Sequence, residues 1–180
     1  MPSHQKPIHI MDPSATRPTP DAAYYTTHPF VIFNPDHGLT WLSRIGPENT
    51  SSLHTLRIMI HAVYNPGPNP TSTGTPPSGP AWIALFNYLS YYATGLKEVK
   101  VHWDSDAEHY GGGADGEVVR ALAGIGGLER LELGGFYLES WPGYLEENTG
   151  AEVVEEKERG KAAYWVELAR WRRHFEVGGS

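Results

Sequence analysis

The chain has 180 residues, no cysteine, and 21 acidic against 14 basic side chains, for a formal charge of −7. That length suits one core of ordinary size, and the lack of cysteine excludes disulfide scaffolds, cysteine-ligated zinc, iron–sulfur clusters and thiol nucleophiles. The acidic balance repels phosphate backbones and no apolar run approaches the roughly 20 residues that span a bilayer, so neither nucleic acid nor membrane is an expected partner.

Residues 1–23 are polar and proline-rich and read as a flexible tail. They hold no apolar stretch of the secretory kind, and the expected location is intracellular, cytoplasmic or nuclear. Residues 24–176 read as a single α/β repeat-like domain. His28–Phe33 has the composition of a strand that runs into the turn signal Asn34-Pro35. Leu39–Ile45 predicts a short helical turn with Leu42 and Ile45 on one side, stopped by Gly46 and Pro47.

A strand pattern then recurs. Leu53, Leu56 and Ile58 are spaced L-x-x-L-x-I; Leu96, Val99 and Val101 repeat the spacing, as do Leu128, Leu131 and Leu133. Helix-forming sequence separates the copies. Asn65–Pro80, with six prolines and three glycines, predicts a disordered insertion. Trp82, Leu85, Phe86, Leu89 and Tyr92 follow with helical periodicity, and Gly95 stands where a left-handed C′ residue is expected. After the loop Asp104–Gly113, Asp115 is the expected cap of a helix carrying Val118, Val119, Leu122 and Ile125, ended by Gly126-Gly127. Strand, helix, strand in this order predicts parallel pairing with right-handed connections. Beyond Phe136, the acidic stretch Glu146–Glu158 reads as a solvated charge run. Lys161–Phe175 predicts a final amphipathic helix with Tyr164, Leu168, Trp171 and Phe175 on one face.

If the strands pair in register, the alternate residues form columns on the second face. These columns are Thr55–Glu98–Arg130, Arg57–Lys100–Glu132 and Met59–His102–Gly134. A sheet covered on both faces would be almost continuously apolar, so the alternation predicts helices on one face and an open, polar second face. Glu98 beside Arg130 and Lys100 beside Glu132 are attractive pairs, whereas Arg57 beside Lys100 is not. On this reading Lys100→Glu changes stability by less than about 1 kcal/mol, because its gains and losses partly cancel.

The stretch Phe30–Ile58, with F-V-I-F-N-P, then I-G-P-E-N at Ile45–Asn49, then L-H-T-L-R-I at Leu53–Ile58, resembles uncharacterised filamentous-fungal F-box-associated proteins with a leucine-rich-repeat-like domain. The resemblance covers roughly residues 28–140. It implies a small leucine-rich-repeat-like α/β fold with a short parallel sheet, and a role in protein interaction. The L-P-x-E-L-type F-box segment of those proteins has no counterpart in these residues, so association with a ubiquitin ligase is not expected.

Catalytic constellations are sparse. His102, Asp104, Asp106 and His109 offer metal-binding side chains, but their spacing suits a strand running into a solvated loop. The glycines at Gly111–Gly113 and Gly116 lack the Lys and Ser/Thr of a P-loop. Ser90, Ser105 and Ser140 lie in no nucleophile elbow. Tyr64, Trp103, Phe136, Tyr137 and Trp141 form either a groove at the strand ends or a second apolar cluster. The expectation is a non-catalytic protein-interaction module without metal or cofactor, binding a protein partner through Arg57, Glu98, Lys100, His102, Arg130 and Glu132. The alternative is a small-molecule-binding protein or enzyme with a cleft near the carboxyl ends of the strands, around His61, His102 and Asp104.

Overall fold

The computed structural model describes residues 8–9, 22–61, 79–104, 113–135, 137 and 140–156. Strands and helices alternate along them: β1 (Ile8–His9), α1 (Ala22–Thr27), β2 (Phe30–Ile32), α2 (Pro35–Ser51), β3 (Thr55–His61), α3 (Gly79–Tyr92), β4 (Glu98–Asp104), α4 (Gly113–Ala123), β5 (Arg130–Gly135), α5 (Trp141–Thr149) and β6 (Glu152–Glu155). The strands form one sheet in the order β1-β2-β3-β4-β5-β6, every neighbouring pair parallel. The chain is therefore a small α/β fold of alternating helices and a parallel sheet.

The order has a consequence for the faces. A right-handed crossover repeated between successive neighbours always places its helix on the same side. Accordingly Leu56, Ile58, Val99, Val101, Leu131 and Leu133 bury their side chains in one core cluster with Leu42, Trp82, Leu85, Phe86, Leu89, Val118 and Leu122 from the helices. The second face carries Arg57, Glu98 and Arg130, all exposed, and no described helix lies over it. Strand alternation thus separates apolar from polar residues, as the columns require. The register pairs Thr55 with Glu98 and Arg130, Arg57 with Lys100 and Glu132, and Met59 with His102 and Gly134.

Repetition extends to the turns. His54 carbonyl oxygen accepts from Lys97 N and Glu98 N, Lys97 O accepts from Glu129 N and Arg130 N, and Glu129 O accepts from Glu152 N. The entries into β4, β5 and β6 are thereby each hydrogen-bonded to the entry of the strand before, and these units stack in one register.

Several elements depart from the expectations. Ile8–His9 pairs with β2 and α1 begins at Ala22, both within the segment assigned to the tail. The helical turn expected over Leu39–Ile45 is longer. Asn34 caps it by accepting from Asp36 N and His37 N at 2.9 and 3.0 Å, and helix resumes after Gly46, whose φ of 80° makes a kink that a side chain would strain. Thr50, fully buried, satisfies its hydroxyl on Gly46 O at 2.8 Å. Helix α3 includes Gly79 and Pro80, because proline is tolerated in a first turn where its missing N–H has no helical partner. Helix α4 begins at Gly113, so Asp115 lies inside it and does not cap it. Gly95 is not left-handed; it is needed because a Cβ there would lie 2.2 Å from Ser51 O. In the acidic run Glu146, Glu147, Glu152 and Glu155 are exposed, as a solvated charge run requires, but the run also holds the end of α5, which Leu145 anchors in the core, and the sixth strand. The insertion expected at 65–80, apart from its last two residues, and the helix expected over Lys161–Phe175 lie outside the described residues.

Candidate functional site on the open sheet face

The open face is organised around Lys100 in the central strand β4. Its Nζ donates to Glu132 Oε1 on β5 at 2.8 Å, and also to Glu156 Oε1 just past β6. Glu156 comes from two strands away, about 10 Å at the usual strand spacing. It can do so because the residue between is Gly134. The register continues from Leu133 opposite Glu155, and Glu156 N donates to Leu133 O, so Glu156 lies level with Gly134 and His102. A Cβ on Gly134 would sit 2.2 Å from Glu156 Oε2 and 2.9 Å from His102 Nδ1. The bare glycine is the floor over which the glutamate crosses. Its second oxygen lies 3.6 Å from His102 Nδ1, within ion-pair range when the ring is protonated.

Electrostatics follow from this geometry. Desolvation alone would lower the Lys100 pKa, but the hydrogen bonds it donates to Glu132 and Glu156 and the charges of both carboxylates outweigh it and hold the pKa above 10.5. Desolvation likewise raises Glu156, and the hydrogen bond and charge of Lys100, with a smaller contribution from His102, overcome it and hold the carboxyl below 4.5. Lys100 and Glu156 are therefore both charged, and paired with each other, at neutral pH.

The six expected binding residues do share this face, but not as equals. Lys100, Glu132 and His102 are half-buried in the cluster. Arg57, Glu98 and Arg130 are exposed. Glu98 and Arg130 are register partners, yet no ion pair joins them among the described residues. Glu156 was not anticipated. Its signal was Gly134, since a glycine inside a strand marks close approach by another group.

The strand ends differ from a groove. Trp103 is 1% exposed and meets Trp141 edge-to-face, with ring centroids 4.8 Å apart, so both are core residues. The indole N–H groups of Trp82, in the first turn of α3, and Trp103, near the end of β4, are buried without a hydrogen-bond partner. His61 and Asp104 are register partners at the ends of β3 and β4. Tyr64, Ser105, Asp106, His109, Gly111, Gly112 and Phe136 lie outside the described residues. Among the described residues no group of three or more His, Asp or Glu is placed to hold a metal ion, and no helix is long and apolar enough to cross a membrane. No family model, curated protein or solved structure matches the chain.

Proposed function

We propose that the chain is a non-catalytic protein-interaction module of leucine-rich-repeat-like design, binding its partner on the open sheet face. The observation that carries this reading is the one-sided burial: a sheet with helices on one face presents the other as a broad surface. On that surface Lys100, His102, Glu132 and Glu156 are held by mutual contacts, which lowers the ordering cost of binding. Exposed Arg57, Glu98 and Arg130 surround them as charges available for complementary contacts. The stacking of strand entries and the recurring L-x-x-L-x-I spacing support the repeat-like assignment, and with it the likeness to F-box-associated fungal domains.

The test is affinity capture from a native cell extract with the parent chain, followed by binding measurements on the captured protein. Arg57→Glu and Arg130→Glu reverse exposed charges that make none of the hydrogen bonds of the Lys100 cluster and are expected to weaken binding at least tenfold, with urea unfolding of each variant separating any loss of stability from loss of binding. Tyr91→Glu, on the helical side where Tyr91 is 74% exposed, is expected to bind normally. The opposite pattern would move the interface to the helices and refute the open-face assignment.

A second reading, a small-molecule site at the carboxyl ends of the strands, is favoured by the two orphaned indole donors. A thermal-shift screen of small amides and carboxylates tests it. A ligand whose stabilisation disappears in Trp103→Phe would favour this reading over the first.

A further inference from the structure

The first residues of the last three strands form a row that the Lys100 cluster does not absorb. Glu98, Arg130 and Glu152 are register partners on β4, β5 and β6. Val99, Leu131 and Val153, the next residue of each strand, pack into or against the core, so the three side chains of the row stand on the open face. All three are exposed, and their signs alternate from strand to strand: negative, positive, negative. None of the three side chains makes an ion pair or hydrogen bond with another described residue. Lys97 and Glu129, one residue before the same two central strands, do close at 3.2 Å although they are 42% and 71% exposed. The strand spacing therefore permits such pairs, and the charges of the row stay available.

Alternation restricts what can lie on the row. A polyanion finds Arg130 but meets the carboxylates of Glu98 and Glu152 on either side, and a uniformly cationic segment meets Arg130. A complementary segment carries a basic, an acidic and a basic side chain in that order. Spacing then selects its backbone. Glu98 and Glu152 stand two strand spacings apart, about 10 Å. Residues i, i+4 and i+7 of an α-helix share one face and span about 10.5 Å. Same-face residues i, i+2 and i+4 of an extended chain span about 13 Å and are out of step by the third contact. Two basic groups against one acidic group also give the helix the sign that a chain of charge −7 attracts over distance.

We infer that Glu98, Arg130 and Glu152 seat an α-helix of the partner lying across the strands, with Lys or Arg at i, Asp or Glu at i+4 and Lys or Arg at i+7. The inference rests on the proposed binding at the open face and specifies what binds there. Beside the row, Lys100 and Glu132 hold each other at 2.8 Å and Val154 is half-buried, so that flank adds packing area without a competing free charge.

Two alanine-based helical peptides of equal length, composition and net charge are the probes. One carries Lys, Glu and Lys at i, i+4 and i+7; the other carries Lys, Lys and Glu at the same positions. Fluorescence anisotropy with the full chain at low ionic strength, where exposed charges are least screened, gives the Kd of each. The alternating peptide is expected to bind at least fivefold more tightly. Arg130→Glu is expected to erase that preference. Reversing the whole row, with Glu98→Lys, Arg130→Glu and Glu152→Lys, is expected to transfer it to a Glu, Lys, Glu peptide over a Glu, Glu, Lys one, with thermal midpoints confirming the fold of each variant. Equal affinities for the parent chain, or a preference that survives Arg130→Glu, overturns the inference. Binding of a 15-nucleotide single-stranded DNA that is lost in Arg130→Glu assigns the row to polyanions and overturns it as well. In each of these cases the open-face reading stands if Arg57→Glu and Arg130→Glu still weaken the captured partner. A captured partner indifferent to both substitutions refutes that reading, and the inference with it.

Discussion

Replacing Lys100 tests whether the cluster is an energetic unit. Lys100→Met keeps the stem of the side chain and removes the ammonium, leaving Glu132 and Glu156 facing each other without their shared cation. Exposed pairs contribute about 0.2–1 kcal/mol, and removing one partner of a buried pair costs about 3–5 kcal/mol. The side chains of Lys100, Glu132 and Glu156 are 31%, 29% and 34% exposed. After allowance for solvent screening, the two contacts together give an expected loss of about 1.5–2 kcal/mol. Lys100→Glu adds a third carboxylate and should fall about 1 kcal/mol lower still, offset slightly by Arg57. This expected loss exceeds the partial cancellation that Glu132 and Arg57 alone would give, because Glu156 is a second carboxylate on Lys100. The pH dependence has a definite sign. Glu156, held below 4.5, stabilises the fold above that value, and this contribution disappears as pH falls through its lowered pKa. Lys100, held above 10.5, stabilises fully below that value, and this contribution disappears as pH rises through its raised pKa. The difference between parent and Lys100→Met is therefore largest between the two limits and shrinks at both ends. Urea unfolding across pH, with Glu156→Gln made in both backgrounds, measures it. A coupling energy near zero in that cycle would refute the reasoning.

Three other substitutions separate local from global contributions. Val99→Asp places an unpaired carboxylate at a position 1% exposed and is expected to abolish cooperative thermal unfolding. Asn34→Ala removes the oxygen that accepts from Asp36 N and His37 N and should cost about 1 kcal/mol in urea unfolding, while Asn34→Asp should preserve the cap. Gly134→Val drives Glu156 off its crossing and should cost about 1–2 kcal/mol; combined with Glu156→Gln the losses should fail to add by about 0.5 kcal/mol or more.

The central sheet was legible because its signal is periodic. Leu56, Val99 and Leu131 recur at one offset within their units, and a period of two leaves a single register that buries all of them. The same periodicity placed Arg57, Glu98, Lys100, His102, Arg130 and Glu132 on one face before any geometry was known. The edges were harder. Two residues, Ile8 and His9, are too few for a periodic signal, and β6 has Glu155 where the central strands have Ile58, Val101 and Leu133. An edge strand needs only partial burial, so Val153 suffices there, and Glu155 remains exposed to accept from Tyr137 Oη at 2.7 Å. Charge density concealed the strand. Gly95 and Gly126-Gly127 were equally visible as glycines, but composition cannot separate a left-handed turn from a close backbone approach. Gly127 has φ of 77°, whereas Gly95 makes room for Ser51 O.

Glu156 joins the terminal unit to the centre of the sheet, and this links stability to the binding surface. Beyond backbone pairing with β5, the last unit is held by Trp141, Leu145 and Ala151 in the core and by half-buried Val153. In a stacked array the outermost unit has one neighbour and opens most readily. Glu156 bypasses that nearest-neighbour rule, because its partners Lys100 and His102 lie on β4 and not on the adjacent β5. The glycine that permits this crossing contributes no side chain to the face, so the face there consists of the glutamate and its partners. Displacing β6 would consequently remove one of the two carboxylates from Lys100 and leave Glu132 as its remaining acidic contact. The central column Arg57–Lys100–Glu132 would then carry one net positive charge with no compensation from β6. The terminal unit thus sets both the shape and the charge of the surface that its own strand only borders.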